Sequence, residues 1–253
     1  MELLIESRWT LVVLFLVMLA MLETGRRLGQ RRLQEEGEGA TKGLGAMEGA
    51  VFGLLGLLVA FTFSGSAARF GARRELILQE TNAIGTAWLR LDLLSAAARE
   101  ELRGDFRRYV DLRLEATREG RQSADPAIAA LQQSIWTKGV AGAQAAADPR
   151  VAALLLPALN EMFDTATARY LSSQTHPPAI IFITLLVLAS LCAALAGYGM
   201  AGSKHRSWLH ILCFAGSLLM AVYVILELEF PRRGLIRVDR YDQVLVELRD
   251  SMK

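Results

Sequence analysis

Cysteine and histidine are scarce: the 253 residues hold 2 Cys and 3 His. Cys192 and Cys213 both fall inside apolar segments. A disulfide framework or a zinc site needs clustered, regularly spaced ligands, and neither is present. The two cysteines read as small hydrophobes buried in lipid. An excess of one charge is also missing, since 28 Lys+Arg stand against 26 Asp+Glu for a net of +2. That balance argues against a nucleic-acid partner. Period-two alternation of apolar and polar residues is absent, so no sheet is expected. P-loop, GxGxxG, HExxH and CxxC motifs are lacking as well. The paired carboxylates Glu35-Glu36 and Glu100-Glu101 lie in polar stretches and read as solvated helix faces. No catalytic set emerges, and neither an enzyme nor a cofactor or metal is expected.

What the chain does have is long uncharged sequence. Gly49 to Ala68 is 20 residues without a charge, Tyr170 to Ser203 is 34, and Ser207 to Leu226 is 20 again. A hydrocarbon core about 30 Å thick needs roughly 20 apolar residues of helix to cross it. A shorter run, Trp9 to Leu22, extends to a first span over 3–25 if Glu6, Arg8 and Glu23 reach the interfaces. It is read as a retained span, because no basic n-region precedes it and no small-residue cleavage site follows. The expected fold is therefore all-α and polytopic. Spans at 3–25, 48–68, 178–200 and 207–228 are joined by a polar linker at 26–47. A helical extramembrane domain occupies 69–176, and a charged, amphipathic tail occupies 229–253.

The middle stretch shows helical periodicity. Leu76, Ile77, Ile84, Trp88 and Leu91 lie near one stripe, and Phe106, Tyr109, Val110 and Leu114 recur at helical spacing beneath alternating charges. Asp125 before Pro126 and Asp148 before Pro149 mark helix starts. The alanine-rich stretch between them is expected to break near Gly139 and Gly142. Trp208 begins the last span as an interfacial aromatic. His210 lies just inside that span. An ionisable group within a span is a functional candidate by default, although Arg206, four residues earlier, allows His210 to face the headgroups. Counting Lys and Arg beside the spans gives nine on the side of the termini and middle domain against seven on the other. That count favours cytoplasmic termini.

Two features of the second span bear on function. Gly45, Gly49 and Gly53 recur every four residues and so share one face, a spacing that lets another helix approach closely. The span then runs through Ser64-Gly65-Ser66 into Arg69, Arg73 and Arg74. Basic residues there either anchor the helix end at headgroups or, with several copies around an axis, concentrate anions at a mouth.

Three stretches resemble the bestrophin-like family of bacterial membrane proteins. One is Leu57-Leu58-Val59-Ala60-Phe61-Thr62-Phe63-Ser64, leading into Arg69-Phe70 and Arg73-Arg74. The second, Glu80-Thr81-Asn82-Ala83-Ile84-Gly85-Thr86-Ala87-Trp88-Leu89-Arg90, is close to the family's E-x-N-A-I-G-T-A-x-L-R signature. The third, Leu226 to Val238, is similar to its D-x-P-F-x-G-x-I-x-V ending, with Glu227 or Glu229 in place of Asp and Arg232-Arg233 in place of the aromatic.

The resemblance implies a multi-pass protein of the bacterial inner membrane, with the lipid bilayer as its solvent. By likeness to bestrophin chloride channels it implies a homo-oligomer, a pentamer, that passes chloride or another anion. Gly53, Leu57 and Phe61 then stand where apolar residues narrow the bestrophin pore, and Arg69-Phe70-Gly71-Ala72-Arg73 resembles the sequence that follows that span. Gly45 and Gly49 share this face, so it reads equally as a packing seam. The acidic calcium-binding cluster of animal bestrophins has no counterpart, and calcium gating is not implied. The rival expectation is a non-conducting membrane protein whose helical domain binds a partner or senses the bilayer.

Overall fold

The computed structural model describes residues 8–36, 44–118, 125–203, 207–230 and 239–253. Among these residues every regular element is helical. In chain order they are α1 (Arg8–Glu36), α2 (Leu44–Arg90), α3 (Ala96–Arg118), α4 (Pro126–Gln144), α5 (Arg150–Gln174), α6 (Ala179–Gly199), α7 (Trp208–Glu229) and α8 (Asp239–Ser251). Single turns of 3-10 helix, Leu91–Leu93 and Met200–Gly202, follow α2 and α6.

Several helix boundaries have a local cause. At α4 the Asp125 carboxylate accepts the Ala127 N–H at 2.9 Å, and Pro126 sits where its missing donor is not needed. Asp148 accepts the Arg150 N–H at 2.9 Å at the start of α5. The Arg150 guanidinium also reaches Asp148, and this hydrogen bond holds the carboxyl below its ordinary range. α4 passes unbroken through Gly139 and Gly142, contrary to the sequence expectation. Both glycines serve packing instead. A Cβ on Gly139 would stand 2.6 Å from Leu159 Cδ1, and one on Gly142 would stand 3.2 Å from Leu94 Cδ2.

The polar linker expected over 26–47 is partly helical, since α1 continues to Glu36 and α2 begins at Leu44. α2 likewise continues past Ala68 to Arg90 as one helix. The first residues of the expected span 3–25, the basic hairpin Lys204-His205-Arg206 and the motif residues 231–238 lie outside the described residues.

Contacts divide the chain into two compact units, Met1–Ala68 with Pro177–Phe230 and Arg69–His176 with Pro231–Lys253. In the first unit α1 and α6 touch backbone to backbone. A Cβ on Gly25 would lie 1.8 Å from the Ala194 carbonyl oxygen, and one on Gly197 would lie 1.9 Å from that of Leu22. Gly29 faces Ala201 and Tyr198 in the same seam. Leu14, Met18 and Leu22 of α1 pack against Ala193 of α6 and Ala215 of α7. On another face of α6, Leu185, Ala189 and Cys192 pack against Leu55 of α2. Phe52 of α2 meets Phe214 of α7 edge-on at 6.0 Å between ring centres.

Three helical stretches are long and apolar enough to cross a membrane: Gly45–Leu93, Arg150–Gly202 and Trp208–Glu229. Only 11%, 22% and 11% of their most apolar windows are buried inside the chain, so most of that apolar surface faces outward, as lipid or a second copy would require.

The second unit has an enclosed apolar core. Ile84, Ala87, Leu91, Leu102, Phe106, Tyr109 and Val110 are fully enclosed, together with Ile135 of α4 and Leu155, Leu159 and Met162 of α5. Each fully buried aliphatic or aromatic side chain contributes about 1.5–3 kcal/mol relative to exposure. The segment expected as a charged tail supplies α8, which docks through Leu245, with Met252 just beyond its end joining the same core. Arg249 clasps Asp111 of α3 at 2.7 and 2.9 Å.

The two sets of glycines should respond differently to substitution. Gly197→Val forces α6 away from a backbone that cannot rotate aside, and is expected to destabilise by about 1–3 kcal/mol or more. Gly53→Ala meets nothing within 4 Å and is expected to be neutral or slightly stabilising. Thermal unfolding of the detergent-purified variants checks the contrast, and equal melting temperatures would contradict the seam.

Candidate functional site

α2 presents two faces in the first unit. Leu55, Thr62 and Ser66 are buried. Thr62 turns its hydroxyl back to the Leu58 carbonyl at 2.7 Å, which satisfies it within the helix. The other face is open: a Cβ on Gly45, Gly49, Gly53 or Gly56 would find no atom within 4 Å. Leu57 and Phe61 continue that face, 52% and 66% exposed. Spacing of four keeps Gly53, Leu57 and Phe61 adjacent along the helix surface. Gly45, Gly49 and Gly53, expected on one packing face, therefore have open space beside them among the described residues of their own chain. The seam that does form uses Gly25, Gly29 and Gly197.

The arginines that follow belong to the second unit. Arg73 donates from Nε to the Ser172 carbonyl at 3.2 Å and from its terminal nitrogen to that of Thr175 at 3.0 Å. It thus satisfies acceptors at the C-terminus of α5, where helical carbonyls lack partners and a cation is favoured. Arg74 lies 4.2 Å above the Tyr241 ring and 5.8 Å from that of Phe70. Its guanidinium is held by these aromatic faces. Arg69 is half-buried at the start of this stretch.

The densest arrangement of charge in the second unit centres on Glu80, which is 0% exposed. One carboxylate oxygen accepts from Arg113 Nε at 2.7 Å, and the other accepts from Arg169 at 2.7 Å. Arg169 also donates to Asp242 at 2.7 Å and to the Thr117 hydroxyl at 3.3 Å. The four charged groups come from α2, α3, α5 and α8 and sum to zero.

Burial by itself lowers the Arg113 pKa, but the Glu80 charge leads the opposing contributions and carries the net direction upward. Arg113 therefore stays a cation. Beside it Tyr109 is sealed in, and its hydroxyl accepts from Gln132 of α4 at 3.4 Å. Burial pushes the Tyr109 phenol up to about 12, with the nearby Glu80 charge adding to the rise and Arg113 opposing it.

The sequence reading did not find this cluster. A signal was nonetheless present: each charge falls in register with an apolar stripe. Glu80 follows Ile77 by three, Arg113 follows Phe106 by seven, and Arg169 follows Met162 by seven. The motif Glu80 to Arg90 now divides by face. Glu80, Ile84 and Ala87 point inward, as does Leu91 just after the motif. Asn82 and Thr86 line an outer groove of about 360 Å³ with Gln79, Arg90, Pro157 and Glu161. Arg90 bridges that groove by donating to the Leu154 carbonyl of α5.

Two outcomes test this account. Glu80→Ala leaves two arginines buried without their carboxylate and is expected to cost about 3–5 kcal/mol, read as a lower denaturation midpoint. The raised Tyr109 pKa means that the native state keeps a proton which the unfolded chain loses near pH 10. Its share of stability is therefore intact below that pH and disappears as pH rises toward about 12, by about 3 kcal/mol in all. The wild type should lose more stability than Tyr109→Phe over that interval, and parallel pH profiles would contradict the assignment.

Residues 12–242 match the family described as the Bestrophin-like domain. No curated protein and no solved structure matches the chain. The matched span includes the open face of α2, the arginines after it and the Glu80 cluster, and it coincides with three helices apolar enough to enter a bilayer. The chain belongs to the bestrophin-like family of membrane proteins.

Proposed function

We propose that this protein is a subunit of a homo-oligomeric anion channel of the bacterial inner membrane, with α2 of each copy lining the axis. The observation that carries the reading is the open face of α2, where, among the described residues, a Cβ on Gly49 or Gly53 meets no atom within 4 Å and Leu57 and Phe61 are exposed. Around an axis, Leu57 and Phe61 form an apolar constriction of the kind that gates by dewetting. Gly53 leaves the next level wide. Arg69, Arg73 and Arg74 follow on the same helix and supply positive charge that raises the local anion concentration. In this reading α1 is a fourth span, which places both termini on one side. A pentamer follows from likeness to bestrophins. The reading assigns no enzymatic step, metal or cofactor to the chain.

A second reading, a non-conducting protein whose second unit binds a partner, has one feature in its favour. The groove of Gln79, Asn82, Thr86 and Glu161 offers hydrogen-bonding groups beside the exposed Leu89.

Planar-bilayer recording of purified protein separates the two. Wild type is expected to carry chloride current, and Phe61→Ala is expected to raise it severalfold by widening the constriction. Particle images should show a symmetric ring with α2 nearest the axis. A symmetric ring whose conductance equals that of empty bilayer, for wild type and Phe61→Ala alike, removes the channel reading.

A further inference from the structure

In the first unit α1, the turn after α6 and the start of α7 enclose a cavity of about 320 Å³. Its wall is apolar, formed by Leu19, Leu22, Ile211 and the indole of Trp208. Its rim carries Glu23, Arg26 and Arg27, one negative against two positive charges. Arg27 directs Nε to Glu23 at 2.8 Å. Arg26 reaches across the mouth to donate to the Ser203 carbonyl at 3.3 Å, which holds its guanidinium over the opening.

The N-terminus of α7 adds to this. Ser207 provides no side-chain cap, because its hydroxyl pairs with the His210 ring, and the first turn holds no acidic residue. The leading N–H groups of a helix lack intrahelical acceptors and carry a partial positive charge. Two arginines and a helix N-terminus without an acidic residue thus surround one mouth, a donor arrangement suited to an oxyanion.

The apolar wall decides which oxyanion. A small inorganic ion leaves Leu19, Leu22 and Ile211 unfilled, whereas an amphiphile covers them. With α1 taken as a span, as proposed above, the cavity falls at headgroup depth. The uncharged run of α1 ends at Leu22, and Trp208 opens the apolar run of α7, so both mark the boundary between hydrocarbon and headgroups. We infer that this cavity binds an anionic membrane phospholipid, with the phosphate on Arg26 and Arg27 and the start of an acyl chain against Leu19, Leu22 and Ile211. Among the described rim residues Glu23 offsets one of the two arginines, and that mixed charge suits a phosphodiester headgroup. The site stands whether or not the protein conducts ions.

The test uses the full chain in neutral detergent, with native mass spectrometry to count retained lipid and thermal unfolding to follow stabilisation. Phosphatidylglycerol is expected to be retained severalfold better than phosphatidylcholine and to raise the melting temperature. Arg27→Gln should weaken that preference, and Arg26→Gln combined with Arg27→Gln should abolish it. Arg31→Gln, on the same helix beyond the cavity, should leave it intact. Both variants at the rim should keep wild-type elution and near wild-type melting in the absence of lipid. Inorganic phosphate is the comparison probe. Stabilisation by phosphate without phosphatidylglycerol retention would make the cavity a free-anion site and overturn the lipid assignment. Equal retention of the two lipids, or retention unchanged in the double variant, would overturn it as well.

Discussion

Among the described residues the carboxylate of Glu80 is met by two guanidinium groups, and four helices of the second unit meet around that pairing. An isolated ionised carboxylate costs several kcal/mol or more to bury, so it persists only where both oxygens are hydrogen-bonded to opposite charge. Arg113 and Arg169 meet that condition from two different helices, and Asp242 compensates the surplus on Arg169. Five helices converge as a result, since Gln132 of α4 joins through Tyr109. Apolar packing is non-directional, whereas hydrogen bonds to a buried charge are directional. A carboxylate that must face two arginines at 2.7 Å fixes register. This explains why α8, a short amphipathic helix near the C-terminus, is docked: Asp242 is part of the charge balance, and Arg249 with Asp111 holds its far end.

The first unit follows a different rule. Lipid gives helices no hydrophobic reason to associate, so close backbone approach and small residues determine which pairs form. Gly25 and Gly197 allow α1 and α6 to touch, and no larger residue fits at either place. The glycines of α2 have the same spacing, but among the described residues a Cβ on any of them would meet no atom within 4 Å. One glycine pattern thus marks a formed contact in α1 and α6 and an unoccupied face in α2. The unoccupied face is the one on which the channel proposal rests, and the three outward-facing apolar stretches fit a chain that completes its packing with lipid and with copies of itself.

Much of the helical plan was legible in the residues. Of the first stripe Ile77, Ile84, Trp88 and Leu91 are buried and Leu76 is half-buried, and all of Phe106, Tyr109, Val110 and Leu114 are buried. The Asp125-Pro126 start is capped as its chemistry requires. Misreadings came from residues with more than one use. Gly139 and Gly142 suggested a break because glycine weakens helices, yet in the fold they make room for Leu159 and Leu94. The stretch 26–47 looked like a linker because it is polar, but α1 continues through its first part to Glu36.

Sequence alone determined the solvent and the secondary structure, because uncharged length and helical periodicity are local properties that a bilayer and a core read directly. It also determined the family, through motifs contiguous in the chain. Tertiary structure decided which glycines pack, which arginines are buried and which face of α2 is left open. Those outcomes depend on residues far apart in sequence meeting at contact distance: Leu22 with Gly197, Glu80 with Arg169, Arg26 with Ser203. No spacing rule along one helix carries that information, since each partner is defined by a neighbour that its own segment does not contain.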